Sequence, residues 1–334
     1  MSARNRSAEP AAVAIAAAFD LGRPTAPLTL VHNQVARSWR LDTTTGSFHV
    51  KEFWPDEDPF WAPQLIDRMD FERRALEAGI ATVAPIPPVV PAYAWAGRVD
   101  GRGSYRVYEW IDNRHLSADD DVTDWLGTML ARLHELSPVT TPPELAWRWF
   151  VHHPRPTWEG WIAAGHEHAK SWASILQDNL DVILELCARD DKAFMSAADH
   201  VITHRDVEPY NVIISSSGPL LIDWDAVGPE SATIETGHAA VTFGYNDTQR
   251  VHRILNAYTE AGGRLAPLGP DLLIRTANRQ LSNITGLIRA TLGERRPAAW
   301  MDQLDDGDRH ITGWLNDLPG LLAHLDSMAA SFAV

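Results

Sequence analysis

The segment that most restricts the fold is residues 201–225, where two short apolar strands interrupt an otherwise helical half of the chain. Val212-Ile213-Ile214 and Leu220-Leu221-Ile222 flank the turn-forming run Ser215-Ser216-Ser217-Gly218-Pro219, which reads as a β-hairpin. Asn211 lies just before the first strand and Asp223 just after the second. Antiparallel pairing brings those ends together, so an amide oxygen and a carboxylate face one point, as a hard cation such as Mg²⁺ requires. Asp206 lies upstream on the connecting loop. There it can stand beside a cation without being a ligand, the place for a base that accepts a hydroxyl proton.

The first part of the chain has a different period. Leu28–Val31, Ser38–Leu41 and Ser47–Phe53 read as strands separated by turns such as Asp42-Thr43-Thr44-Thr45-Gly46. A helix is expected over Asp67–Ala78, closed by Gly79. A Pro-rich connector, Pro85–Pro91, leads to strands at Tyr93–Trp95 and Tyr105–Glu109. After residue 111 helical patterns take over. Leu126, Met129, Leu130 and Leu133 share one face, as do Leu273, Ala277, Leu281, Ile284, Ile288 and Leu292, and a last helix runs from about Ile311. The reading is an α+β chain: a β-rich lobe over 1–111 and a helical lobe over 112–334.

Charge and cysteine narrow the partners. A net charge of −15 repels phosphate backbones and anionic lipid, so nucleic acid and membrane surfaces are poor partners, while a cationic small molecule is favoured. The single cysteine, Cys187, can form no intrachain disulfide and suits a reducing cytoplasm; its apolar helical setting points to a buried structural thiol. Arg4 and Arg6 before the run Ala11–Phe19 loosely imitate a secretion signal, but Glu9 and Pro10 interrupt the approach, and the run reads as a short amphipathic helix. No apolar stretch is long enough to span a bilayer.

His204-Arg205-Asp206, Asn211 and Ile222-Asp223-Trp224-Asp225 follow the kinase pattern H-R-D-x-x-x-x-N with a metal-binding Asp beyond it. The segment closely resembles the aminoglycoside phosphotransferase and choline kinase-like family, whose usual form is H-G-D-x-x-x-x-N, a hairpin, then I-D-W-[DE]. The resemblance implies a protein-kinase-like two-lobe fold with ATP between the lobes. It implies Asp206 as catalytic base, Asn211 and Asp223 as Mg²⁺ ligands, and Lys51 as the lysine that touches the α- and β-phosphates. It makes Glu72, on the following helix, the glutamate that orients Lys51 by an ion pair. The Glu109 carbonyl and the Ile111 amide would bond the adenine edge. The resemblance covers about residues 24–290.

Three positions depart from the family pattern. The phosphate-covering turn, His32–Ser38, has no glycine, although glycine lets backbone N–H groups approach phosphate. Arg205 replaces the usual glycine; the short link Ala226–Ala232 leaves little room for the phosphorylated activation loop that this arginine reads in protein kinases. Glu235 stands near where the family has an Asp that braces the catalytic loop, and is read as structural. His152-His153 and His166-Glu167-His168 lack recognised ligand spacing and read as exposed histidines. Trp147, Trp149, Trp158, Trp161 and Trp172 either shape a substrate site or pack the second lobe. Asp225, Glu230 and Asp247 are candidate partners of a cationic acceptor. That acceptor is a cationic antibiotic of the aminoglycoside type, or a metabolite such as an amino sugar or amino alcohol. The other reading is a catalytically idle nucleotide-binding module.

Overall fold

The computed structural model describes residues 12–332, apart from 34–36, 54–64, 94, 100–102, 140, 142–143, 146–149, 151, 268, 295–300 and 302–305. The chain divides into two compact units, one of residues 1–115 and 212–225, the other of residues 116–211 and 226–334. It is the two-lobe architecture expected from the sequence, one lobe built on a β-sheet and one helical. The hairpin of residues 212–225 groups with the β-rich unit.

In the first unit, helix α1 (Ala12–Ala18) precedes strands β1 (Thr29–Asn33), β2 (Arg37–Asp42) and β3 (Ser47–Phe53). Helix α2 (Leu65–Glu77) follows, then β4 (Pro85–Ile86), β5 (Pro91–Tyr93), β6 (Ala96–Val99), β7 (Gly103–Glu109) and β8 (Asn113–His115). The main sheet runs β1-β2-β3-β7-β6-β5, with β4 also paired to β7. The stretch 85–91, expected as a connector, thus contributes β4 and the start of β5. The strand expected over 93–95 ends at Tyr93, and β6, which runs through Gly97, was not anticipated.

Alternation along the strands gives this sheet two unlike faces. Trp39, Leu41, Phe48, Val50, Tyr105 and Val107 pack with Ile15, Phe19 and Leu21 into one core. The residues between them share the other face: Ser38 pairs with Lys51, Arg40 with His49, Lys51 with Arg106 and His49 with Tyr108. That polar face is the platform for the site.

The second unit carries α3 (Thr123–Glu135), α4 (Arg155–Glu167), α5 (Ala173–Asp178) and α6 (Leu180–Ser196). A two-stranded ribbon joins β9 (His200–Thr203) to a later strand, Gly228–Ser231. Between these lie the hairpin strands of the first unit, β10 (Val212–Ser215) and β11 (Gly218–Leu221), which makes Gly228–Ser231 strand β12. The chain continues with α7 (Ala232–Gly244), α8 (Thr248–Glu260), α9 (Ile274–Thr291) and α10 (Gly307–Ala330). The stripes expected from periodicity are buried: Leu126, Met129, Leu130 and Leu133 on α3, and Ala277, Leu281, Ile284 and Ile288 on α9. Trp158, Trp161 and Trp172 are buried as well. Their indole N–H groups donate to the His153 carbonyl, Glu294 and Asp308, so these three pack the lobe; Trp147 and Trp149 lie outside the described residues. Cys187 is buried. His152 is not exposed as expected but bonds Asp191 and Asn278, whereas His166 and His168 are exposed. Among the described residues no helix is long and apolar enough to cross a membrane.

Candidate active site

The hairpin ladder pairs Val212 with Leu221, Ile213 with Leu220, Ile214 with Pro219 and Ser215 with Gly218, and β10 also pairs with β8. Its open end is therefore Val212 and Leu221, with Asn211 and Asp223 the polar residues just beyond them in the chain. Trp224 anchors the exit. It is 2% exposed, donates its indole N–H to Thr82 Oγ1 at 2.9 Å and packs against Phe71. Asp223 itself has φ +67°, a left-handed conformation uncommon for a residue with a side chain. Its carboxylate is 44% exposed.

Three cationic side chains of the first unit converge on this exit. Lys51 Nζ lies 2.6 Å from Asp223 Oδ1 and 2.6 Å from Asp225 Oδ2. Arg106 Nη1 donates to Asp225 Oδ1 at 3.0 Å, and Arg68 Nη1 to the Asp225 carbonyl at 2.8 Å. Burial alone would depress the Lys51 ammonium; the two carboxylates outweigh it and hold Lys51 firmly protonated. Burial pushes Asp225 up, but Lys51 and Arg106 override it, so its carboxyl titrates below the usual range. His49, on the same sheet face, is pushed down to about 4 by burial and by the Lys51 charge, so it is neutral at physiological pH.

Glu72 departs from the expectation. Fully buried, it pairs with Arg106 and accepts from the Tyr108 hydroxyl at 3.2 Å. The expected Glu72–Lys51 ion pair is replaced by Glu72–Arg106 because the β3–β7 register sets Arg106 beside Lys51 on one face. Arg106 meets Glu72, and Lys51 turns to the two aspartates. Glu109 ends β7, and the Trp110 N–H bonds the Ser47 carbonyl at 3.0 Å. The Ile111 carbonyl accepts from Asn113 Nδ2 at 2.7 Å. Of the glycine-free turn, residues 34–36 lie outside the described residues; its flanks pair as Asn33 with Arg37.

In the second unit, Asp206 sits on the loop after β9. Asn211 Nδ2 donates to Asp206 Oδ2 at 2.9 Å and to its carbonyl at 2.8 Å, and the Tyr210 hydroxyl donates to Oδ1 at 3.0 Å. Burial raises the Asp206 carboxyl above its usual range, against the pull of Arg279 and His204. Asn211 spends its amide N–H groups on Asp206, which turns its amide oxygen, the atom type a hard cation takes, away from that carboxylate.

The loop is braced from beneath. Buried Glu235 accepts from Thr203 Oγ1 at 2.6 Å, from the Arg205 N–H at 2.6 Å and from His134 Nε2 at 2.7 Å. Burial would raise Glu235, but His134 and Thr203 hold it below the usual range. Arg205, where the family has glycine, keeps the conformation glycine favours, φ +64°. Its guanidinium folds back to the carbonyls of Ala226 at 2.7 Å and Val227 at 3.3 Å. Gly228 makes room: a Cβ there would lie 2.3 Å from Arg205 Cζ.

Two proposed acceptor carboxylates are otherwise engaged. Asp225 serves Lys51 and Arg106, as above. Glu230 is fully buried, 2.5 Å from the Arg275 guanidinium, because its strand β12 faces the interior. Asp247, the third, caps α8 by accepting from the Gln249 and Arg250 N–H groups. Tyr210, Glu208 and Arg279 were not anticipated: Arg279 donates from α9 to the Tyr210 hydroxyl at 2.9 Å and to Glu208 at 3.3 Å.

Comparison with known proteins bears on the family and the fold. A family model described as the phosphotransferase enzyme family matches residues 28–268. No curated protein matches the chain. Among solved structures, an amicoumacin kinase in complex with AMP-PNP, Ca²⁺ and Ami is similar at TM-score 0.64 and 11% identity, over 92% of this chain and 91% of that one. A spectinomycin phosphotransferase in complex with ADP and spectinomycin is similar at 0.58 and 13%, over 89% and 93%. A choline/ethanolamine kinase family protein from Mesorhizobium loti is similar at 0.56 and 15%, over 96% and 98%. The structural likenesses show the fold; the family model, spanning most of the chain, shows that it belongs to the phosphotransferase enzyme family and is a small-molecule kinase.

Proposed function

We propose that this member of the phosphotransferase enzyme family transfers the γ-phosphoryl group of ATP, with Mg²⁺, to a hydroxyl of a small molecule, with Asp206 as base. The observation that carries the reading is the setting of Asp206. Its carboxylate is held from both oxygens and raised by burial toward the pH at which a base works best. ADP and AMP-PNP in two structural neighbours support a nucleotide donor. Asn211 and Asp223 would hold Mg²⁺, which when bound neutralises phosphate charge. Lys51 binds the phosphates, and the Glu109 carbonyl and Ile111 N–H hold the adenine edge. Asp206 orients the acceptor hydroxyl and takes its proton as the oxygen bonds to phosphorus. Little covalent help is needed, so positioning and charge carry the rate.

A cationic acceptor of the aminoglycoside type is supported by the net charge of −15 and by the spectinomycin bound to one neighbour. Its assigned carboxylates, Asp225 and Glu230, are engaged internally, so recognition of the acceptor falls to other groups.

ATP with Mg²⁺ should raise the melting temperature, as any ligand selective for the folded state does. Asp223→Ala should remove the Mg²⁺-dependent part of the shift. Equal stabilisation by ATP in chelator and in Mg²⁺, with no acceptor phosphorylated across a broad panel, would establish the idle-module reading instead.

A further inference from the structure

The turn that follows Asp206 sends a side chain back onto it. Pro209–Asn211 form a turn of 3₁₀-helix, with the Asn211 N–H on the Glu208 carbonyl at 2.9 Å. Proline suits the first position because its ring fixes φ near the helical value. Both Tyr210 and Asn211 thereby return to the carboxylate: Asn211 Nδ2 donates to Oδ2 and the Tyr210 hydroxyl to Oδ1. A carboxylate held at one oxygen still swings about that bond; held at both, its plane is fixed. An ionised carboxylate has about four lone-pair sites, so each oxygen keeps one for an acceptor hydroxyl and neither donor has to leave.

Tyr210 is 52% exposed, so packing does not set the direction of its hydroxyl. Arg279 does. Its Nη2 lies 2.9 Å from the phenol oxygen, and a guanidinium carries donors but no acceptor. The phenol oxygen must accept that bond, which leaves its proton for Asp206. Arg279 is fixed in turn on three sides. Nε donates to Glu208 at 3.3 Å, Nη1 donates to Asn283 Oδ1 at 3.2 Å, and the guanidinium stands 5.5 Å from the ring centroid of buried Phe150. Buried Glu208 is tied to α7 and α9 as well, through His238, whose Nε2 lies 2.8 Å from it and whose Nδ1 lies 3.1 Å from Thr276 Oγ1. The ion pair of Arg279 is thus with Glu208, and the phenol carries its orienting effect to Asp206.

We propose that Tyr210 is a positioning residue for phosphoryl transfer: its hydroxyl, aimed by Arg279, holds the Asp206 carboxylate in the orientation that meets the acceptor hydroxyl. This rests on Asp206 being the base. The relay faces the base and not the acceptor, so it applies to an acceptor of any charge.

The test compares wild type, Tyr210→Phe, Asp206→Asn and the double variant, with Arg279→Met and Arg279→Lys as the changes that remove and retain a donor to the phenol. Transfer from ATP with Mg²⁺ is followed to spectinomycin, to choline and to water. Tyr210→Phe should lower kcat about 3- to 10-fold, the range that one hydrogen bond of ordinary net strength implies, with KM for ATP and acceptor nearly unchanged. In the Asp206→Asn background the same change should cost nothing more, because holding the base has no value once the base is gone. Arg279→Met should match Tyr210→Phe in kcat, and Arg279→Lys should recover most of the loss. Crystal structures of wild type and Tyr210→Phe supply a readout that needs no turnover. The Asp206 carboxylate should rotate or take more than one orientation in Tyr210→Phe, while the Asn211 bond to the Asp206 carbonyl persists. A single unchanged orientation there would overturn the proposal, and so would an unchanged kcat or a loss equally large in the Asp206→Asn background. If neither compound nor water receives phosphate while the carboxylate still reorients, the hold on Asp206 stands and the kinase reading fails.

Discussion

The two units handle buried charge in opposite ways. In the β-rich unit, Lys51, Arg106, Glu72, Asp223 and Asp225 neutralise one another through direct ion pairs. In the helical unit, Asp206 has neutral donors on both carboxylate oxygens, Tyr210 and Asn211. A cluster held by ion pairs can exchange partners: a phosphate oxygen can take the place of an aspartate oxygen on Lys51. A base held by neutral hydrogen bonds keeps its orientation with no ion pair to break, while burial keeps its pKa raised. The difference suits the proposed division, binding for the first set and proton transfer for the second.

Several substitutions would break or sharpen this division. The largest effect is expected from Asp206→Asn, which keeps shape and removes the proton acceptor. kcat should fall about 10²- to 10⁴-fold with ATP affinity nearly unchanged, whereas Lys51→Ala should weaken ATP binding as well as turnover. Steady-state kinetics with nucleotide titration distinguishes them; loss of ATP binding in Asp206→Asn with near-normal kcat would reverse the assignment. Next, Arg106→Leu strands Glu72 in the interior. Removing one member of a buried pair costs about 3–5 kcal/mol, and the loss should show in chemical denaturation. Arg106→Leu with Glu72→Leu should regain most of it, and failure to regain it would mean that the pair is not what stabilises α2 on the sheet.

A smaller, pH-dependent effect is expected at Glu235. Its folded pKa lies below its unfolded one, so its stabilisation is complete above the unfolded value, about 4.3, and is lost as pH falls through the lower folded value. Glu235→Gln should lower stability at neutral pH by about 1.5–3 kcal/mol and flatten the acid limb of the stability curve. An unchanged acid limb would show that the loop does not depend on this carboxylate.

The hairpin and its flanking residues lie where the sequence implied, because strand period, turn composition and motif spacing are all local signals. The sheet strands β2 and β3 and the stripes on α3 and α9 were legible for the same reason. The partners of Glu72 were not: which cation meets a helix carboxylate depends on how β3 registers against β7, a relation between residues far apart in sequence. Glu230 looked available because nothing in Gly228–Ser231 signals that this strand faces the interior. Tyr210 and Arg279 meet across 69 positions, and no spacing rule links the catalytic loop to the middle of α9. Residues 85–99 were misread where prolines and Gly97 interrupt short strands that only pairing with β7 sustains.

The fit of Arg205 against Gly228 bears on the routes by which such a sequence can arise. With glycine at 205, the left-handed turn is unstrained and position 228 can accept a side chain. Once arginine is present, its guanidinium fills the space that a Cβ at 228 would need. The two positions are therefore coupled: a side chain at 228 would require the Arg205 guanidinium to leave the Ala226 and Val227 carbonyls.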